Sequence, residues 1–407
     1  MMKLITLLLL CFSLSAYAVD DKPEIVLGTN VLQKKSLPTT DEIQGGSAEH
    51  VKCILDDMKI SYQIRSLPWR RARQDVHASV IDGFFTAVGI DEASDYATFS
   101  APLALENWYW FWRTDMAAPA SWKEHFQVGV ILGSQHEAIL TNEGFTEFVT
   151  ANNLEQLVKL LISKRVDVVL MDKEQFESTV AKMGVRGRDY KSRFFRYMPL
   201  GVYFGAPFLV QHPDFLTAFN SRISACSMQK FELSDSEKEI IKKITSPWFQ
   251  KIKSNGDIVN AVAQQNSSNK NKPVNQLKKI DEQWQLAFKV GDTKLSKTIV
   301  SQNISLLLKQ FSAASNELLS EIIIMDERGY NVAMAEMTSD YWQGDEEKFT
   351  LVYSKPEQTI FFDQIKYDAS SKRFQVQVSA PLYDTQRKAI GAITLGVDVD
   401  KALSLAN

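Results

Sequence analysis

Along the first half of the chain, short apolar runs alternate with apolar stripes of helical period. Glu24-Ile25-Val26-Leu27-Gly28-Thr29-Asn30 reads as a strand running into a turn. Ser47 to Met58 reads as an amphipathic helix, preceded by Gly45-Gly46 and with Ser47 as its N-cap. Tyr62 to Arg65 predicts a short strand, Trp69 to Ser79 a helix, and Val80 to Thr86 another strand. Val128-Gly129-Val130-Ile131-Leu132 predicts a buried strand ending in Gly133-Ser134. Leu154 to Ser163 predicts a helix and Val166 to Met171 an apolar strand. Strands alternating with helices imply an α/β domain with a mostly parallel sheet. The run Trp108-Tyr109-Trp110-Phe111-Trp112 predicts a strand buried on both faces. An aromatic belt at a membrane interface is the competing reading, and one isolated strand cannot anchor a sheet there.

The pattern changes in the second half. Ser234 to Lys253 predicts a helix interrupted at Pro247. Gln264 to Asn275 is polar, rich in Asn and Lys, contains Pro273, and reads as a loop or linker. A long helical region is expected from about Leu277 to Leu319. Glu321 to Met325 then reads as a strand, Asp326 to Gly329 as a turn, Phe374 to Ser379 as a strand, Pro381 to Lys388 as a turn, and Ala389 to Val397 as a strand. Closely spaced strands with such turns suggest an antiparallel sheet, and a long helix ahead of it an α+β domain. The expected plan is a leader at 1–18, a first domain at 19–253, a helix start and polar linker at 254–276, and a second domain at 277–407.

The first residues bear on compartment. Met1-Met2-Lys3 is a short positive start, Leu4 to Leu10 an apolar run, and Ala16-Tyr17-Ala18 a small-residue cleavage pattern before Val19. The run falls short of the roughly 20 apolar residues that span a bilayer. Leu10 stands where a lipidated Cys11 would need a small residue. The expectation is export through an N-terminal signal peptide to the periplasm of a Gram-negative bacterium. With 407 residues, two or three domains are expected. A net charge of -3 gives no basic surplus for nucleic acid or an anionic membrane.

Removing the leader leaves Cys53 and Cys226, an even pair in an oxidising compartment, which suggests a disulfide. Cys53 falls off its helix's apolar stripe of Val51, Ile54, Leu55 and Met58, so a bridge needs a later element on the outer face. A helix ending at Cys226, with Phe215, Phe219 and Ile223 on one side, supplies one. The alternative is two unrelated thiols.

Catalytic signatures are absent. His50, His77, His125, His136 and His212 form no metal-ligand spacing, and no nucleophile elbow, P-loop or dinucleotide glycine pattern occurs. No cofactor, metal or catalytic residue is expected. A glycosidase pair among the many carboxylates stays open, and with it a cell-wall hydrolase.

Several pieces in order carry a resemblance. Leu67-Pro68-Trp69-Arg70-Arg71-Ala72, Ile81-Asp82-Gly83-Phe84-Phe85, Thr98-Phe99-Ser100-Ala101-Pro102, Val128 to Ser134 and Arg165 to Asp172 together resemble extracytoplasmic solute-binding proteins of the polar-amino-acid type. The resemblance implies a two-lobed periplasmic-binding-protein fold of type 2, with a ligand cleft reached by Asn30, Trp69, Arg70, Phe85, Ser134, Gln135 and Asp172. Packing for Trp69 and a solvated position for Arg70 and Arg71 remain the alternatives. The family's carboxylate-clamping arginine is replaced by Ala93, while Asp172 stands where an acid meets the ligand ammonium. That implies an amine, a polyamine or another polar, carboxylate-poor metabolite, or a vestigial cleft.

Residues 255–404 resemble periplasmic sensor domains of the Cache type, with a PAS-like sheet. The resemblance runs through Ile258 to Asn266, Ile280 to Trp284, Ile324 to Val332, Thr338-Ser339-Asp340-Tyr341-Trp342-Gln343-Gly344, Val378 to Tyr383 and Ile390 to Asp398. It implies an α+β Cache/PAS-like domain with a long N-terminal helix, and a pocket lined by Asp340, Tyr341 and Trp342 with Asp363 opposite. Core packing for the two aromatics and a turn cap for Asp340 are the alternatives. No membrane helix follows Asp398, so a sensor of this kind needs a membrane partner, either a membrane sensor protein or a transporter permease. A structural or regulatory adaptor with vestigial pockets is the second expectation.

Overall fold

The computed structural model describes residues 24–30, 46–88, 93–118, 126–227, 231–368 and 373–405. The expected leader, with Lys3, Cys11 and Ala18, lies outside the described residues, as does His125.

The first part is a mixed sheet. In chain order its elements are β1 (Ile25–Thr29), α1 (Gly46–Asp57), β2 (Tyr62–Ser66), α2 (Trp69–His77), β3 (Gly83–Val88), β4 (Ala97–Phe99), β5 (Ala104–Arg113), β6 (Val128–Ile131), α3 (Gln135–Asn142), β7 (Phe148–Ala151), α4 (Leu154–Ile162), β8 (Val168–Asp172), α5 (Lys173–Lys182) and β9 (Tyr190–Gly205). The strand order is β2-β1-β3-β9-β5-β8-β6-β7, with β4 also on β9. Two parallel groups result. β1 pairs in parallel with β2 and β3, and β6 with β7 and β8. Between them run the antiparallel strands β5 and β9. β9 pairs with β5 over Tyr190 to Leu200 and with β3 over Leu200 to Phe204, so one strand serves both groups.

The aromatic run of β5 is buried on both faces. Trp108, Trp110 and Trp112 enter one apolar cluster and Tyr109 and Phe111 another. Ser47 lies inside the first turn of α1, which begins at Gly46, rather than capping it. Leu132 ends beyond β6 and is exposed, because Gly133 at φ +71° turns the chain out of the sheet there.

Cys53 and Cys226 form a disulfide across 173 residues of sequence. Two short helices, α6 (Ala206–Gln211) and α7 (Phe215–Asn220), precede α8 (Ile223–Cys226). Phe215, Phe219 and Cys226 pack with Val51, Ile54 and Leu55 of α1 in one cluster, which brings α8 to the cysteine face of α1.

The second part begins with α9 (Asp235–Lys253), α10 (Gly256–Asn269), α11 (Val274–Lys289), α12 (Lys294–Ile299) and α13 (Gln302–Ala314). Then follow β10 (Leu319–Asp326), β11 (Asn331–Met334), α14 (Glu347–Thr350), β12 (Phe361–Asp368), β13 (Arg373–Tyr383), β14 (Ala389–Asp398) and α15 (Val399–Leu405). The five strands form an antiparallel sheet in the order β11-β10-β14-β13-β12.

Three expectations are corrected here. α9 runs through Pro247 without interruption, because Ile241, Phe249 and Ile252 bury one face of it and outweigh one missing backbone bond. The polar stretch from Gln264 is not a linker, since it continues α10 to Asn269. Its amides serve a buried turn. Gln265 Nε2 and Asn269 Nδ2 donate to Asp326 Oδ2 at 3.1 and 2.9 Å, and Asn266 Oδ1 accepts from Glu327 N at 2.9 Å. The long helix expected from Leu277 to Leu319 is three helices. Gly291, at φ +69°, ends α11 with its N–H on Phe288 O, and Asp292 N closes back on Ala287 O.

The two sheets share apolar packing. One cluster runs from Phe111 and Leu157 through Phe249 and Ile252 to Ile322 and Leu403. The shared strand β9 is also tied to α15, because Tyr197 N donates to Asp400 Oδ1 at 2.9 Å. Burial pushes the Asp400 carboxyl up to about 6, against the lowering effect of that bond. An acid whose pKa is raised on folding contributes fully below its unfolded value near 4 and loses that contribution as pH rises through about 6. Asp400→Asn keeps an acceptor for Tyr197 N–H. It should therefore raise stability at pH 8 by about 1–2 kcal/mol, with the gain vanishing near pH 4, as read by urea denaturation at both pH values.

Candidate ligand-binding clefts

The first cleft opens between the two parallel strand groups. One wall comes from α2 and the end of β3. Trp69 stands edge-on to Phe84 at 5.8 Å, and Phe84 stacks on Tyr203 at 5.1 Å. Trp69, Arg73, Phe84 and Val88 face Gly133, Ser134, Gln135 and Ala138 across it. The pairing of β3 with β9 slips between Phe85 and Ala87, which makes Thr86 an extra residue, and its φ is +60°. The Thr86 hydroxyl lies 3.2 Å from Asn30 Oδ1 and 3.0 Å from Thr29 Oγ1.

On the other wall, Ser134 caps α3 by accepting from Glu137 N at 3.2 Å, and Glu137 Oε2 accepts from Gly133 N at 2.5 Å. Gln135 crosses the cleft. Its Nε2 donates to Thr86 O and its Oε1 accepts from Val88 N, both at 3.0 Å. His136 is buried with its ring stacked on Trp108 at 3.9 Å, and burial pushes it down to about 3, so it stays neutral. Glu106, which accepts from Trp108 Nε1 at 2.7 Å, is pushed up to about 7 by burial.

The expected residues divide. Trp69, Ser134 and Gln135 meet at this cleft, and Asn30 supports it from behind. Phe85 does not, because successive strand residues face opposite sides. Phe84 takes the cleft, while Phe85 is in the core with Ile54 and Phe204. Arg70 is exposed, and Arg73, one helical turn after Trp69, is the cation on the wall. That i, i+4 relation was the available signal. Ala93 is fully buried. Asp172 is not aimed at an ammonium in this cleft. It caps α5 by accepting from Gln175 N, its other oxygen accepts from Asn107 N, each at 2.9 Å, and it lines a different groove.

That second groove, of about 680 Å³, lies between the first sheet and the start of α9, with Ile365 of β12 at its edge. Asn107, Asp172, Lys173, Tyr197 and Glu237 line it.

A third groove, of about 470 Å³, lies among α10, α11 and the α12–α13 junction, and Tyr341 reaches it with Gln265, Lys272, Ile280 and Val332. Asp281 of α11 was not anticipated as a site residue. Its Oδ1 accepts from both Tyr341 N and Trp342 N, at 2.8 and 2.9 Å. Tyr341 packs between Trp284 and Tyr330, and Trp342 Nε1 donates to Arg328 O at 2.9 Å. The Asp340 carboxylate accepts from Gln343 Nε2 at 2.8 Å and Ser339 Oγ at 3.0 Å. Asp340 and Trp342 therefore build the loop and do not line the groove. Asp363 stands on β12, paired with Lys366 at 2.7 Å, and is not part of the lining either.

Among the described residues, no three His, Cys, Asp or Glu side chains gather as a metal site, and no helix is long and apolar enough to cross a membrane.

No family model matches the chain, and no curated protein matches it. Solved structures do. A histidine kinase sensor domain with similarity to periplasmic binding proteins is 13% identical, covers 51% of this chain and 91% of its own, and has a TM-score of 0.41. The arginine-, lysine-, histidine-binding protein ArtJ of Geobacillus stearothermophilus is 12% identical, covers 50% and 89%, and has a TM-score of 0.39. An ancestral arginine-binding protein bound to arginine is 16% identical, covers 50% and 91%, and has a TM-score of 0.39.

Proposed function

We propose that the chain is an exported, non-catalytic binding protein of the two-lobed periplasmic type, joined to a Cache/PAS-like sensor part, which binds a small polar ligand and reports to a membrane partner. The observation that carries this reading is the hinge. Two parallel strand groups are joined through β5 and β9, and the cleft has a wall from each group. Such an arrangement suits closure around a ligand. The five-stranded antiparallel sheet, flanked by α10 and α13, supports the sensor reading of the second part. The Tyr197–Asp400 bond gives motion in β9 a direct route to it. The disulfide fits an oxidising compartment.

An amine, a polyamine or another polar metabolite is the proposed ligand. The partner proposed is a membrane sensor protein or a transporter permease. Thermal-shift screening of the purified protein against polyamines, amino acids and organic acids tests this. A compound at 100 times its Kd should stabilise by about 2.7 kcal/mol. No shift with any compound, together with tight capture of a membrane protein, would favour an adaptor with vestigial pockets.

A further inference from the structure

The space left between the walls of the first cleft is about 40 Å³. That admits a water molecule or two, whereas small-molecule sites run to roughly 300–1,000 Å³. Gln135 bridges what remains.

The carboxamide of Gln135 meets a matched pair of backbone groups on the opposite wall. It donates to Thr86 O and accepts from Val88 N, each at 3.0 Å. Those two groups are free to face the cleft because the ladder with β9 slips at Thr86. A β-branched residue at φ +60° is strained and persists only where its surroundings hold it. Asn30 and Thr29, both within hydrogen-bond distance of its hydroxyl, are that support. The bulge is thus a built acceptor–donor pair, and the second lobe's own side chain occupies it. Val88 joins the same closure by packing with Trp108 and Leu140.

We infer that Gln135 is an intramolecular latch that holds the ligand-free cleft closed and must leave Thr86 and Val88 before a ligand enters. The displacing ligand then presents a hydrogen-bond donor and an acceptor side by side, as a primary carboxamide does, which narrows the proposed ligands to polar metabolites of that kind and leaves a plain amine or polyamine without an acceptor for Val88 N. The ligand part rests on the binding function proposed above. The latch itself is a property of the empty protein.

The test uses the full chain without ligand. Spin labels at Gln74→Cys on α2 and Asn142→Cys on α3 occupy exposed positions on the two walls; Cys53 and Cys226 are already bonded to each other, and Cys11 is replaced by serine. Pulsed electron–electron distance measurement should give one short, narrow distance. Gln135→Ala should add a longer, broader population, since two lost amide bonds shift the open-to-closed ratio roughly five- to a hundredfold. Gln135→Glu, nearly the same shape but lacking the N–H donor toward Thr86 O, should open it too. Distance distributions that superimpose on the parent in both variants, or a parent already at the long distance, would overturn the latch. Neither result depends on a ligand, so a blank thermal-shift screen bears on the binding function alone.

Discussion

Replacing Cys53 and Cys226 by serine should lower stability by up to about 5 kcal/mol. The bond joins residues 173 apart, from α1 near the start of the described chain to α8 past β9, so nearly all of the first sheet lies inside the loop it closes. Cutting so long a loop gives the unfolded chain much of its freedom back, while the folded contacts of Phe215, Phe219 and Ile54 stay as they are. The loss should appear as a lower urea midpoint for the double variant, and reducing agent should bring the parent protein to the same midpoint. Equal midpoints for the oxidised parent and the variant would show that the bond contributes nothing.

Glu237→Ala should cost about 1–3 kcal/mol. Glu237 is 1% exposed and stands at the third position of α9. It accepts from Ser234 N at 2.7 Å while Glu237 N donates to Ser234 Oγ at 3.4 Å, which closes a capping box, and the Ser234 hydroxyl also donates to its carboxylate at 2.7 Å. It also accepts from Asn107 Nδ2 at 2.6 Å and Tyr109 OH at 3.0 Å, both on β5. Burial raises the Tyr109 phenol, and the Glu237 charge raises it further, so that hydroxyl remains a donor. Alanine would strand donors on two elements at once at the wall of the second groove, where water can take over only part of the lost acceptor. Glu237→Gln keeps an acceptor oxygen and should lose less than half as much. Scanning calorimetry of both variants reads this directly, and equal losses would place the effect in the lost negative charge rather than in the hydrogen bonds that Glu237 accepts from β5 and from Ser234.

Much of the secondary structure was legible from residue types alone. The alternation of apolar runs and helical stripes located β1, α1, α2, β6, α4 and β8 to within a few residues. The aromatic run of β5 announced a strand covered on both sides. Elements whose polar residues are satisfied far away in sequence were misread. Gln265, Asn266 and Asn269 look like linker residues until the Asp326 turn arrives to meet them, 57 to 61 positions later. Pro247 reads as a break, but its helix is held by burial that composition does not display.

The candidate site followed the same division. Trp69, Ser134 and Gln135 could be named because strand ends and helix starts carry local signals. Phe85 was chosen over Phe84 because strand parity is fixed by register, and Thr86 was missed because a bulge arises only when β3 and β9 pair. The sequence by itself determined an α/β sheet, a later antiparallel sheet and a pair of cysteines, since periodicity and residue chemistry are properties of a few neighbouring positions. Only the tertiary structure decided that β9 serves both strand groups, that Asp172 is used up in capping, and that Gln135 fills the cleft. Each of these depends on which distant backbone group is left without a partner, and that is settled when the sheet closes.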